Sequence, residues 1–247
     1  MQITLIGHST VLIEANGMKI LTDPFFKTWG NPAYRRSAPP ACSRQELKDV
    51  DLVLVSHAHW DHVDRQYFNL IGQAVPVFAY NLIKGLVKLS GAQNVVALQL
   101  WQRRKFDGLT LTAVPAMHPA LASGFMLEIE DKTIYFAGDT YYGRFMKKIA
   151  RVFPAIDVAL LPVCNYRIPM TMTEVGAVKA VKTLKPGVVI PIHLDLEPRL
   201  PLMRTRHTVQ DFAKKVQQTG LETRVVLLGS SAVSNEKTGS DQPKFTL

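Results

Sequence analysis

Short apolar runs separated by polar or turn residues recur along most of the chain. Residues 3–6, 11–14 and 19–22 predict strands, and Asn16-Gly17 between the last two is a two-residue hairpin signal, because both residues tolerate positive φ. From Asp23 to Cys42 the pattern breaks, with four prolines, Gly30 and two arginines predicting a long irregular loop of the kind that usually carries function. Strand and helix then alternate: strand 52–56, helix 64–71 stopped by Gly72, strand 75–79, and helix 81–89 ended by Ser90-Gly91. Paired strands follow at 109–114, 125–129 and 133–137, the last two joined by the Glu130-Asp131-Lys132 turn. A basic helix at 144–152 and an apolar run at 158–163 come next. Thr171-Met172-Thr173-Glu174 predicts a capping box opening a helix to residue 184, which Lys185-Pro186-Gly187 ends. A buried strand at 188–192, a helix at 209–219 and a strand at 224–228 complete the pattern.

So many short strands with four or five helices exceed what one doubly wound sheet holds. Two packed sheets with helices outside, an α+β four-layer αββα sandwich, fit the count. No repeat or linker divides the chain, so residues 1–233 are expected to form one domain and residues 234–247 a loose polar tail.

With 247 residues, 47% of them hydrophobic and 20% charged, a mostly disordered chain is excluded. No run approaches the ~20 apolar residues of a membrane helix, and the N-terminus lacks a secretory leader, so a cytoplasmic address is expected. Cys42 and Cys164 are far apart and outside any CxxC pair, which argues against a disulfide framework or a thiolate metal site; Cys164 reads as a packing residue. Twenty-nine basic against twenty acidic residues give a net charge of +9, with clusters at Arg35-Arg36, Arg103-Arg104-Lys105 and Lys147-Lys148. Such charge is either solvated surface or a field that draws anions. His207, amid Arg204, Arg206 and Thr208, reads as surface.

The chemistry concentrates in His57-Ala58-His59-Trp60-Asp61-His62, directly after the apolar run 52–56. Residues two apart point the same way in extended chain, so His57 and His59 can share an ion, while Asp61 and His62 need a turning loop to join them. Imidazole and carboxylate without thiolate suit catalytic divalent sites. Three further candidates, His118, Asp139 and His193, each stand where a predicted strand gives way to a loop.

This string, with the later lone His118, Gly138-Asp139-Thr140 and Pro191-Ile192-His193, resembles the metallo-β-lactamase superfamily of metal-dependent hydrolases over residues 3 to about 229. The resemblance implies the αββα fold and two divalent ions, zinc first, with Mn2+, Ni2+ or Fe2+ accepted by the same donors. By that likeness His57, His59 and His118 bind one metal, Asp61, His62 and His193 the other, and Asp139 bridges both. Gly7-His8-Ser9, Thr22-Asp23-Pro24 and Leu161-Pro162-Val163-Cys164-Asn165-Tyr166 with Thr173-Glu174 are similar to the branch holding N-acyl phosphatidylethanolamine phospholipase D-like enzymes and ascorbate-phosphate lactonases. The implied reaction is hydrolysis by a hydroxide bridging the two ions. Asp61 and Asp139 offset the cations and orient the water, and Asp61 can take its proton. Asp23 is expected to hydrogen-bond a ligand histidine from behind. His8 is expected either to do the same or to face the substrate, and Tyr166 and Arg167 to line the pocket.

The expected substrate is a small, anionic molecule, first a phosphodiester or phosphorylated compound, with a lactone or carboxylic ester as the alternative. An RNA-processing nuclease would use the basic surface but lacks an inserted RNA-holding domain. A diiron oxygen or nitric-oxide reductase would need a flavin domain for which 247 residues leave no room. A binding protein on a hydrolase fold conflicts with the retention of every ligand position.

Overall fold

Asn16 and Gly17 take φ of 50° and 73°, turning the chain tightly between the second and third strands as the hairpin signal requires. Residues 1–164, 166–205, 208–229 and 244–247 are described by the computed structural model; Asn165 and His207 lie outside them. Among the described residues the strands form two seven-stranded sheets and one two-stranded ribbon. Numbered along the chain, the first sheet holds β1 (Gln2–Gly7), β2 (Thr10–Ala15), β3 (Met18–Thr22), β5 (Leu52–Val55), β6 (Val77–Tyr80), β7 (Val95–Leu98) and β16 (Lys244–Thr246), in the order β16-β1-β2-β3-β5-β6-β7. The second holds β8 (Arg103–Phe106), β9 (Leu109–Pro115), β10 (Ser123–Ile129), β11 (Lys132–Phe136), β12 (Val158–Pro162), β13 (Val188–Ile192) and β15 (Arg224–Val225), in the order β15-β13-β12-β11-β10-β9-β8. β4 (Tyr34–Arg36) pairs with β14 (Leu196–Pro198) as the ribbon.

Alternation along the strands builds the layers. Leu52 and Leu54 face the second sheet, packing in one cluster with Leu111, Phe125, Phe136, Leu160 and Ile190, while Val53 and Val55 turn outward to Tyr67 and Phe68 of α1 (Arg65–Ile71). α2 (Lys84–Leu89) covers the same outer face through Val87. On the opposite face α3 (Phe145–Val152), α4 (Glu174–Leu184) and α5 (Val209–Gln217) bury Met146, Ile149, Ala177, Val181, Phe212 and Val216 against the second sheet. The expected αββα sandwich is the observed one. No helix among the described residues is long and apolar enough to cross a membrane.

Several local expectations differ from the structure. α4 begins two residues later than the capping box implies: Thr173 is its cap, accepting the Gly176 N–H, because the Thr171 hydroxyl is drawn to Thr140, donating to its carbonyl and accepting its N–H. The expected polar tail ends in β16, antiparallel to β1, with Phe245 buried in the inter-sheet core; residues 234–243 lie outside the described residues. β8 carries the Arg103-Arg104-Lys105 cluster on the exposed edge of its sheet, where charge discourages pairing with other chains. β4 and β14 divide the long loop and the segment after His193 into a ribbon that no apolar period announces.

Candidate metal centre

β1, β3 and β5 run the same way, as do β9, β11, β12 and β13, so each sheet delivers its strand C-termini to one edge. His8 follows β1, Asp23 follows β3, and the segment from His57 to His62 follows β5. His118 comes after β9, Asp139 after β11 and His193 after β13. A side chain just beyond each strand can therefore reach a common point without distorting either sheet. Gly138 permits the closest approach between the two sheets at this edge. Its φ is +56°, and a Cβ there would lie 2.4 Å from Ser56 Cβ, so no other residue lets Asp139 approach the strand that bears His57.

The side chains gather into two groups with no member in common, linked by a third of Asp23, His57 and His62. Ligand atoms of His57, His59 and His118 lie within 4.8 Å of one another, as do those of His8, Asp61, His62 and His193. Asp139 stands by the second group, its Oδ2 3.1 Å from His193 Nε2 and its Oδ1 3.5 Å from His62 Nε2. His118 Nε2 is 3.2 Å from His59 Nδ1. That spacing suits a divalent cation: two nitrogens each ~2.0–2.1 Å from one tetrahedral zinc stand about 3.3 Å apart.

Hydrogen bonds behind the ligand atoms fix which nitrogen faces inward. Asp23 is fully buried; its Oδ1 accepts the Ser56 N–H at 2.7 Å, and its Oδ2 accepts the Ser56 hydroxyl at 2.6 Å and His62 Nδ1–H at 2.7 Å. His62 thus turns Nε2 toward Asp139 and Asp61. The Ser56 hydroxyl also lies 2.9 Å from His57 Nδ1, and His57 Nε2 is buried without a hydrogen-bond partner among the described residues. A buried imidazole nitrogen left in that state costs ~1–3 kcal/mol unless something binds it, and a cation does so.

The electrostatics suit cation binding. Burial, aided by the charge on His62, holds the His57 ring well below the ordinary histidine value. Burial brings His118 down to about 4, and burial with His193 brings His8 down to about 3. Burial opposes ionisation of Asp139, yet His193 and His62 hold it well below the usual carboxylate range; His62 and His8 do the same for Asp61. Burial likewise opposes charge on His62, but Asp139, Asp23 and Asp61 outweigh it and raise its pKa well above the ordinary value. His57, His59 and His118, held neutral, stand with ionised carboxylates in a donor set of nitrogen and oxygen typical of catalytic divalent metals, while His62 must give up a proton to join it.

A cleft of about 220 Å³ opens beside these groups, bordered by His59, Asp61, Asp139 and His193 and walled by Tyr34, Trp60, Tyr166, Met170 and Leu196. Tyr166 lines it, and its hydroxyl donates to the Leu196 carbonyl at 2.8 Å and so serves the wall. Arg167 is exposed, is absent from the lining, and its N–H donates to Met203 O, contrary to the expectation that it faces the pocket. His8 is fully enclosed, its Nε2 3.3 Å from Asp61 Oδ2 and its ring 4.0 Å from that of His193, so it contacts the ligand side chains and not the cleft. Cys164 is buried in packing with Phe25, Tyr166 and Leu196, and burial pushes its thiol up to about 12, as fits an inert packing residue. Sequence reasoning missed Ser56, Tyr34, Met170 and Leu196. Only Ser56 carried a signal, as a small hydroxyl residue between the apolar run and His57.

The chain's likeness to known proteins agrees with this geometry. Residues 18–194 match the β-lactamase superfamily domain model. A UPF0173 metal-dependent hydrolase of Pyrococcus abyssi is 35% identical over 206 residues, covering 80% of this chain and 86% of that protein. The metallo hydrolase Igni18 of Ignicoccus hospitalis superposes with a TM-score of 0.73 at 28% identity, over 93% of this chain and 96% of its own. A possible metal-dependent hydrolase of Veillonella parvula shares the fold at a TM-score of 0.79 and 22% identity, over 100% of this chain and 99% of its own. This chain belongs to the β-lactamase superfamily and is a metal-dependent hydrolase of the metallo-β-lactamase fold.

Proposed function

We propose that the protein hydrolyses a carboxylic ester or lactone of a small, largely apolar molecule, using two divalent cations. His57, His59 and His118 would hold one cation, Asp61, His62 and His193 the other, and Asp139 both. Zinc is the first candidate, and manganese, nickel and iron(II) suit the same donors. Bound there, the cations would acidify a water and polarise the bond under attack.

The chain's own residues supply the rest. Asp23 holds a proton on His62 Nδ1, so Nε2 is the nitrogen that would bind a cation once its own proton is displaced. Ser56 orients His57 in the same manner. Asp61 borders the cleft with its carboxylate ionised, where it would orient a nucleophilic water. Tyr34, Trp60, Tyr166, Met170 and Leu196 exclude bulk water and grip the apolar part of the substrate.

The observation that carries this reading is the lining: among the described residues, no lysine or arginine borders the cleft. A phosphodiester keeps its negative charge throughout reaction and is commonly met by arginine or lysine beside the metals. A neutral ester develops charge only at the reacting oxygen, where cations suffice. The test is a comparison of kcat/KM for p-nitrophenyl acetate, a γ-lactone and bis(p-nitrophenyl) phosphate, each with and without a chelator. Ester or lactone turnover about tenfold or more above the phosphodiester, and lost with the chelator, is expected. The reverse ranking would overturn the substrate class, and chelator-insensitive turnover would overturn the cation requirement.

A further inference from the structure

Behind the centre, a buried ion pair grips the backbone from which two of its histidines project. Arg36 ends β4, and Asp195 stands two residues past His193; their Nη2 and Oδ2 atoms are 3.6 Å apart, with side chains 0% and 3% exposed. The guanidinium also donates from Nε to Ala38 O and from Nη1 to Phe25 O and Lys27 O, each at 2.9 Å. Its face lies 4.6 Å over the Phe25 ring. On the other side Asp195 Oδ2 accepts the His8 backbone N–H at 2.7 Å, and the His193 N–H donates to His8 O at 2.8 Å. His8 and His193 both hold left-handed backbone, with φ of 57° and 66°, a conformation that persists in such residues only where the surroundings enforce it. Gly7 makes room for the pair, since a Cβ there would lie 2.4 Å from Arg36 Nη2 and 2.7 Å from Asp195 Oδ2.

We propose that Arg36 and Asp195 are positioning residues for the hydrolysis. They lock His8 and His193 in their left-handed conformations, and through the β4–β14 ribbon, where Arg36 pairs with Leu196, they hold the cleft walls Tyr34 and Leu196. Stability alone gives little reason for this arrangement, because a buried ion pair stabilises a fold no better than a well-packed apolar pair. An apolar pair, however, would leave the His8 N–H without its acceptor. The inference rests on the proposed role of His193 in the Asp61–His62 cation site.

Asp195→Asn and Arg36→Lys in the full chain test it, each titrated with cobalt(II) by visible absorption and assayed for kcat and KM separately. Asparagine keeps an acceptor for the His8 N–H but removes the charge that holds Arg36. The parent is expected to bind two equivalents. The variants are expected to keep the first equivalent's affinity, to bind the second ~10–100-fold more weakly with an altered spectrum, and to lose kcat with little change in KM. Far-ultraviolet circular dichroism, in sucrose to favour the folded state, accompanies each titration, and Asp195→Asn carries the test if Arg36→Lys does not fold. Two unaltered equivalents and an unchanged kcat in the variants would overturn the inference, as would equal weakening of both equivalents. A parent that binds no cobalt would overturn the cation reading and this inference together.

Discussion

Replacing Asp23 by asparagine changes one atom and sets two of its hydrogen bonds in conflict. Asp23 Oδ1 accepts the Ser56 N–H, while Oδ2 accepts both the Ser56 hydroxyl and His62 Nδ1–H. Asparagine has one acceptor oxygen and one NH2 group, so in either orientation an N–H faces an N–H in a fully buried position. If the amide oxygen stays with Ser56, His62 must move its proton from Nδ1 to Nε2, the nitrogen that faces Asp139 at 3.5 Å. The lone pair proposed to bind a cation is then blocked. A buried hydrogen bond lost in this way costs ~1–3 kcal/mol. At ~1.4 kcal/mol per decade that is a weakening of about tenfold to a hundredfold. The weakening should fall on the His62 site and spare the site of His57, His59 and His118. Zinc titration of metal-free parent and Asp23→Asn against a fluorescent chelator resolves the two affinities. Two unchanged affinities, or two affinities lowered alike, would refute the reasoning.

Asp139→Ala is expected to abolish turnover and reduce bound metal while the fold survives, because Asp139 stands against His62 and His193; unchanged metal content and rate would remove it from the centre. Gly138→Ala is expected to destabilise the protein by about 2–4 kcal/mol in urea unfolding, from the left-handed φ and the clash with Ser56, and an unaltered midpoint would refute the close approach. With no cation bound, Asp139, Asp23 and Asp61 outweigh burial and hold His62 well above the ordinary value, so it is protonated at pH 7. A cation must displace that proton. Calorimetric zinc titration in buffers of different ionisation enthalpy is expected to register release of about one proton, shrinking as pH rises through the His62 pKa. Release that is independent of pH would contradict the assignment.

Most of the fold was legible because strand and helix periods differ. The run 52–56, apolar up to Ser56, signalled a strand buried on both faces, and Leu52–Val55 indeed packs between α1 and the second sheet. The candidate ligands were legible because metal chemistry restricts residue type: His118, Asp139 and His193 stood out where strands gave way to loops, and the structure brings all three together with His57, His59 and His62. The partners behind them were not legible. Arg36 and Asp195 meet across 159 positions of chain, through a three-residue ribbon with no apolar period of its own. Ser56 and Thr171 act through single hydroxyls whose partners only the fold selects. Arg167 shows the opposite failure: proximity to Tyr166 in sequence does not bring it to the cleft, because the backbone turns it toward Met203 and solvent.

A crystal of the protein grown with zinc, measured for anomalous scattering at the zinc edge, tests the central claim most directly. Two peaks are expected, one bonded at ~2.0–2.2 Å to His57, His59 and His118 and the other to Asp61, His62 and His193, with Asp139 reaching both. Peaks elsewhere, or a single peak that leaves either set of three side chains without an ion, would contradict the account.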